Sequence, residues 1–182
     1  MSNLKDVLKK LNKGKKEEDY SRLITEQEEN FYKKTTTSTG SPYLDMITNG
    51  GFTQGGYNSI IADGGTGKTS LALMAIREEQ KKTGRFAVYY DGEGTLDNSY
   101  IERMGADSSK MLIERGRNLE DMLDHLEAYS TADDVGIIII DSIPIFIATS
   151  VEEKSAGDNS MAAEARRYTQ RMPIIEANCL AR

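Results

Sequence analysis

The run Val135-Gly136-Ile137-Ile138-Ile139-Ile140 has no polar interruption and ends at Asp141-Ser142. So short a run, rich in β-branched side chains, reads as a strand buried on both faces. A strand covered on both sides belongs to a parallel sheet with helices above and below it. The surrounding sequence has the matching alternation. Residues 57–62, 86–90 and 111–113 read as further strands, and 68–82, 99–104 and 118–129 as helices. The expected fold class is therefore α/β, a parallel sheet flanked by helices. Residues 161–180 are helical in pattern, with Pro173 expected to kink or divide the helix.

With 182 residues, the length favours one domain. A composition of 38% hydrophobic and 29% charged residues excludes wholesale disorder and collagen-like repeats. The longest apolar stretches fall far short of the roughly 20 residues that span a bilayer, so no membrane partner is expected. Lys and Asp interrupt residues 4–11, so no secretory signal is expected. The single cysteine, Cys179, cannot form an internal disulfide. The reducing cytoplasm is the expected compartment.

A net charge of -6 argues against a protein that coats nucleic acid generally, but it hides local sign. Residues 1–16 hold six Lys against one Asp, and residues 17–32 hold one Arg against six acids. Residues 164–182 carry four Arg against two Glu. Leu4, Val7, Leu8 and Leu11 mark one apolar face of a short helix. An isolated helix this short is marginal in water, so it needs a surface, on its own domain or on a neighbouring subunit. We expect residues 1–34 to form an oligomerisation arm, a helix followed by a charged linker, and 35–182 to form the core.

Between the strand at 57–62 and the helix at 68–82 stands Ala62-Asp63-Gly64-Gly65-Thr66-Gly67-Lys68-Thr69-Ser70. The phosphate-loop pattern G-x-x-x-x-G-K-[ST] is met at Gly67, Lys68 and Thr69, with Ala62 in the first glycine's place. Such a loop turns backbone amides toward an anion, and the helix that follows adds its positive N-terminal end. Residues Asp63, Gly64, Gly65, Thr66, Gly67, Lys68, Thr69 and Ser70 are thus candidates to hold a nucleotide. Lys68 would face the outer phosphates, and the Thr69 hydroxyl would ligate Mg²⁺.

Asp141 ends the apolar strand where ligands bind in open α/β sheets, and is the second candidate metal ligand. Standing alone, Asp-Ser after a strand is more often a helix-capping turn, and the pairing with Gly67-Lys68-Thr69 favours metal binding. The strand at 86–90 ends in Asp91-Gly92-Glu93, which makes Glu93 the candidate base that orients or deprotonates a water.

Together these residues resemble the RecA recombinases. The resemblance is carried by Ser38-Thr39-Gly40-Ser41 with Leu44-Asp45, the glycines from Gly50 to Gly55, and Gly67-Lys68-Thr69. It continues through Asp91-Gly92-Glu93, Leu96-Asp97, Tyr100, Met104-Gly105, Asp107 and Ile140-Asp141-Ser142. The opening five residues and 100–105 are more similar to the RecA-like recombinases of T4-type phages.

The resemblance implies a RecA-like P-loop NTPase core and a DNA-dependent ATPase that uses ATP and Mg²⁺. Such a protein forms a filament on single-stranded DNA and promotes homologous pairing and strand exchange in recombination and repair. Mediator or single-strand-binding proteins would be further partners, and the host cytoplasm the compartment for a phage protein. By position, Lys68 and Glu93 would be catalytic, and Asp97 and Tyr100 would contact and stack on the adenine. Gly157, Asn159, Ser160 and Met161, with Arg166 in the helix that follows, would meet DNA.

Three departures accompany it: Ala62, Pro173 in the helix after the DNA loop, and an end at Arg182. The family's pattern continues with a further core strand and a second DNA loop, so the sheet is expected to be truncated before its later strands. Two alternatives remain open. One is a nucleotide-binding oligomerisation fragment without turnover, and the other is a RecA-like hexameric helicase core.

Overall fold

The structure is a computed structural model that describes residues 3–16, 21, 35–143 and 159–180, with 159–165 described as helix only. The chain divides into two compact units, residues 1–34 and 35–182.

In the first unit, α1 spans Leu4–Asn12. Asn3 caps it, its Oδ1 accepting the Asp6 amide at 3.0 Å. Asp6 in the first turn and Lys9 and Lys10 in the last suit the helix dipole. The side chain of Asn12 exchanges two hydrogen bonds, each 2.8 Å, with the backbone of Ser21. The apolar stripe stays open, with Leu4, Val7 and Leu11 all exposed.

The second unit begins with a small antiparallel ladder of β1 (Thr36–Thr37) and β2 (Phe52–Thr53), joined through α2 (Pro42–Ile47). Asp45 holds the connection together. Its carboxylate accepts Ser38 Oγ at 2.5 Å, and the Thr39 amide and hydroxyl at 2.8 and 2.7 Å. Gly51 (φ 111°) sits so close to β1 that a Cβ there would lie 2.2 Å from the carbonyl oxygen of Thr37.

The main body follows: α3 (Lys68–Thr83), β3 (Phe86–Asp91), α4 (Asn98–Met104), a 3-10 turn at Ser108–Lys110, β4 (Met111–Glu114), α5 (Leu119–Ser130), β5 (Val135–Asp141) and α6 (Asn159–Leu180). The three strands are parallel in the order β4-β3-β5, with Val88 opposite Leu112 and Ile138. The step from β3 to β4 and the step from β4 to β5 run in opposite directions across the sheet. Right-handed crossovers then force α4 and α5 onto opposite faces.

The packing bears this out. Ala87 and Tyr89 of β3, with Ile137 and Ile139 of β5, meet Leu73 and Ile76 of α3 and Ile101 of α4. Val88 and Tyr90, with Ile138 and Ile140, meet Leu119, Met122, Leu123 and Leu126 of α5 and Ile175 of α6. Each fully buried aliphatic side chain, such as Leu73 or Leu123, contributes about 1.5–3 kcal/mol. The fold is thus a parallel sheet between two helical layers, the α/β class expected from the alternation.

Three details differ from the sequence reading. Residues 57–62 pair with no strand among the described residues; Ile61 is 94% exposed. β-branched composition makes a strand only where an edge receives it, and this segment is instead tied to α6 by a 2.7 Å hydrogen bond between the hydroxyls of Tyr57 and Tyr168. β5 is half-buried along its whole length because it lies at the edge of the three-stranded sheet. Pro173 lies inside α6 without dividing it, since the helix runs on from Asn159 to Leu180. Among the described residues, no helix is long and apolar enough to cross a membrane.

Candidate functional site

The loop at residues 62–67 is exposed and leads into α3 at the C-terminal end of the sheet. Gly67 enters the helix in the left-handed region (φ 97°), where no side-chain cap is made. The first amides of α3 have no acceptor within the helix, so this turn offers donors to an incoming anion. Thr66 Oγ1 donates to the carbonyl of Asp63 at 2.7 Å and braces the turn. The Lys68 ammonium folds back onto the same loop, donating to the carbonyls of Ala62 at 3.0 Å and Asp63 at 2.8 Å.

The next residue reaches across to the sheet. Thr69 Oγ1 donates to Asp141 Oδ2 at 2.7 Å, joining two residues that the sequence singles out 72 positions apart. Tyr89 donates its hydroxyl to the same oxygen, also at 2.7 Å. Burial, and then the hydrogen bond to Asp141, push the Tyr89 phenol well above its usual range. The peptide bond between Asp141 and Ser142 is cis.

Ser70 continues the pattern, its Oγ lying 2.5 Å from the Tyr100 hydroxyl. The Arg103 guanidinium lies over the Tyr100 ring, 5.4 Å from its centroid. Asp97 caps α4, accepting the Tyr100 amide at 2.8 Å and the Ser99 hydroxyl at 2.6 Å. Those bonds, the Ser99 hydroxyl first, hold its carboxyl below the usual range.

Glu93 is exposed and makes no hydrogen bond or ion pair among the described residues. Its loop is shaped by Asp91, which is 4% exposed. That carboxylate accepts the amides of Gly94 (2.9 Å), Thr95 (3.2 Å) and Leu96 (3.2 Å). Arg115 closes the loop, its Nε 3.5 Å from Asp91 and its Nη2 donating to the carbonyl of Leu96 at 3.0 Å.

Gly157 lies outside the described residues, and Asn159, Ser160 and Met161 open α6. Arg166 is exposed. The other arginines of α6 face α5 instead. Arg167 pairs with Glu120, and Arg171 bridges Asp124 at 2.8 Å and Glu127 at 2.6 Å. The basic appearance of this stretch is thus largely matched by acids on the neighbouring helix.

The structure therefore brings Lys68, Thr69, Ser70, Tyr100 and Asp141 to one end of the sheet and leaves Glu93 on a loop beside them. Tyr89 and Asp91 are the site's residues that sequence reasoning missed. Both were open to inference: alternation along a strand puts Tyr89 and Asp91 on one face, and Asp-Gly after a strand is a turn in which the carboxylate caps backbone amides.

The class follows from this arrangement: an α/β protein built on a RecA-like core, with a glycine-rich loop and a strand-end acid meeting at the sheet's C-terminal rim. A family model described as the RecA N-terminal domain matches residues 2–181. The chain is 30% identical over 178 residues to Protein RecA of Prochlorococcus marinus (strain NATL1A), covering 91% of this chain and 47% of that protein. It is 35% identical over 134 residues to Protein RecA of Leptospira biflexa, covering 73% and 34% respectively. It is 32% identical over 168 residues to that of Mycoplasma mycoides, covering 92% and 46%. The chain belongs to the RecA N-terminal domain family, and it spans less than half the length of these curated relatives.

Proposed function

We propose that this chain is the nucleotide-binding part of a DNA-dependent ATPase and recombinase. In this reading it binds ATP with Mg²⁺, assembles as a filament on single-stranded DNA through the arm at residues 1–34, and promotes pairing and strand exchange in recombination and repair. The cytoplasm, a phage host's included, is the compartment. The observation that carries the reading is the 2.7 Å contact between Thr69 and Asp141 beside an exposed glycine-rich loop.

The donor set fits the metal. Among the described residues no cluster of three or more His, Cys, Asp or Glu forms a protein cage. Mg²⁺ suits such a site because it is commonly held by one or two protein oxygens together with phosphates and water. Thr69 and Asp141 would hold it, and when bound it would neutralise charge on the phosphates.

The chain's own residues do the rest. The amides of residues 63–70 cradle the phosphates, and Lys68 leaves the carbonyls of Ala62 and Asp63 to meet the outermost one. Tyr100 offers its ring to the base, with Asp97 beside it. Glu93 orients the attacking water and takes its proton. Gly157, Asn159, Ser160 and Met161, followed by Arg166, meet the DNA strand.

A second reading, nucleotide binding with little turnover, is favoured by the position of Lys68, which is bonded to its own loop. ATP hydrolysis measured with and without single-stranded DNA, for the chain and for Lys68→Ala, separates the two. DNA-stimulated hydrolysis that Lys68→Ala abolishes supports the enzyme. Lys68-dependent ATP binding without hydrolysis supports the binding module. Rings rather than filaments in electron micrographs would favour a hexameric helicase core.

A further inference from the structure

Two hydroxyls converge on one oxygen of Asp141. Thr69 reaches it from α3 and Tyr89 from β3, each at 2.7 Å. Strand alternation explains how. Residues 137, 139 and 141 of β5 face α3, as does Tyr89, whose register partner is Ile139. A tyrosine side chain is long enough to reach from its own partner to the next residue on that face, two positions along. Tyr89 is 1% exposed, so its side chain is fixed by the core, and its hydroxyl ends on Asp141 at the C-terminal end of β5.

A carboxylate has about four lone-pair positions, two on each oxygen. Thr69 and Tyr89 fill those of Oδ2. Oδ1 has no hydrogen bond among the described residues. The final torsion of an aspartate is broad and roughly two-fold, so a single donor would let the oxygens exchange. Two donors from different elements prevent that.

Resting on the nucleotide reading above, we infer that Tyr89 is a positioning residue for Asp141: its hydroxyl holds Oδ2 and reserves Oδ1 for a divalent cation, or for its water, arriving with a nucleoside triphosphate. Thr69 is suited to both tasks at once, because a hydroxyl that donates its proton to Asp141 keeps its lone pairs for the metal. Tyr89 has no direct part in binding. It acts by preventing the carboxylate from turning.

The alternative is that Tyr89 only satisfies a buried phenol. That role would alter folding and nucleotide affinity alike, with or without metal. Mn²⁺, detected by electron paramagnetic resonance, and ATP serve as probes on the whole chain. Tyr89→Phe is expected to weaken Mn²⁺ binding in the presence of ATP by about tenfold, as losses of groups behind metal ligands commonly do, while metal-free ATP binding is unchanged. In an Asp141→Asn background, Tyr89→Phe should cause no further loss. Tyr89→Met, which also lacks the hydroxyl and adapts to the same space, is measured alongside so that the test survives one unfolded variant.

Mn²⁺ affinity within twofold of wild type in either folded variant overturns the inference, as does an equal loss of ATP affinity with and without metal. A wild-type chain that binds no Mn²⁺ with ATP overturns the nucleotide reading and this inference together. If the wild type binds and only the Tyr89 effect is missing, the nucleotide reading stands and the inference alone falls.

Discussion

Ser70 and Tyr100 touch through their hydroxyls at 2.5 Å, fastening the first turn of α3 to the middle of α4. The proposed phosphate loop and base platform are therefore one mechanical unit. Tyr100→Ala should weaken ATP binding by about fivefold to 150-fold, since base–aromatic stacking is worth roughly 1–3 kcal/mol. Tyr100→Phe keeps the ring and should lose no more than about threefold. Calorimetric titration with ATP checks both, and equal losses in the two variants would count against stacking.

Asp91 accepts three backbone amides at the end of β3. Asp91→Ala leaves those donors without their partner and should destabilise the core by about 3 kcal/mol. Asp91→Asn, which can still accept one or two of them, should cost less. Urea denaturation followed by circular dichroism gives both values, and a neutral Asp91→Ala would contradict the assignment.

Arg166 and Arg171 lie on one helix but should fail differently. Arg171 bridges Asp124 and Glu127 at the α5–α6 junction, so Arg171→Ala should cost about 0.5–1 kcal/mol, less at high salt. Arg166→Ala should leave stability unchanged and weaken single-stranded DNA binding, lowering the salt slope by about 0.7. Melting curves and filter binding over a salt series separate the two.

Asp45 supplies a pH dependence. Burial raises its pKa, but the hydrogen bonds from Ser38 and Thr39 outweigh that and hold its carboxyl below the ordinary 3.8. A depressed folded-state pKa means stability that is fully present above 3.8 and lost as pH falls through the lower folded value. Asp45→Asn should therefore flatten the acid limb of a stability–pH curve below pH 3.8 and leave its slope near neutrality unchanged.

The alternating layers were legible in the sequence because each main strand or helix carries its own period. The four isoleucines of β5 and the spaced apolar positions of α3 and α5 are local signals. Residues 57–62 have the same composition as a strand and were misread, because pairing depends on an edge that no local pattern reveals. The ion pairs of Arg167 and Arg171 were hidden for a similar reason: their acids lie 44 and more residues away on α5. At the site, Thr69 and Asp141 could be matched by their motifs. Tyr89 belongs to no motif, and strand alternation alone places it on the face of Asp91, since its contact lies in a hydroxyl at the end of an otherwise ordinary core side chain.

Asp91 and Asp141 are register partners on adjacent strands, so two carboxylates crown the same rim of the sheet. Their surroundings are unequal. Three amides and a guanidinium surround the first, and two neutral hydroxyls attend the second. Under the proposed nucleotide reading, the consequence is a division of labour between chemically identical groups, in which one acid is absorbed into the architecture and its neighbour keeps one oxygen for a visitor. A swap of environment, more than a swap of residue, would relocate that receptive point along the rim.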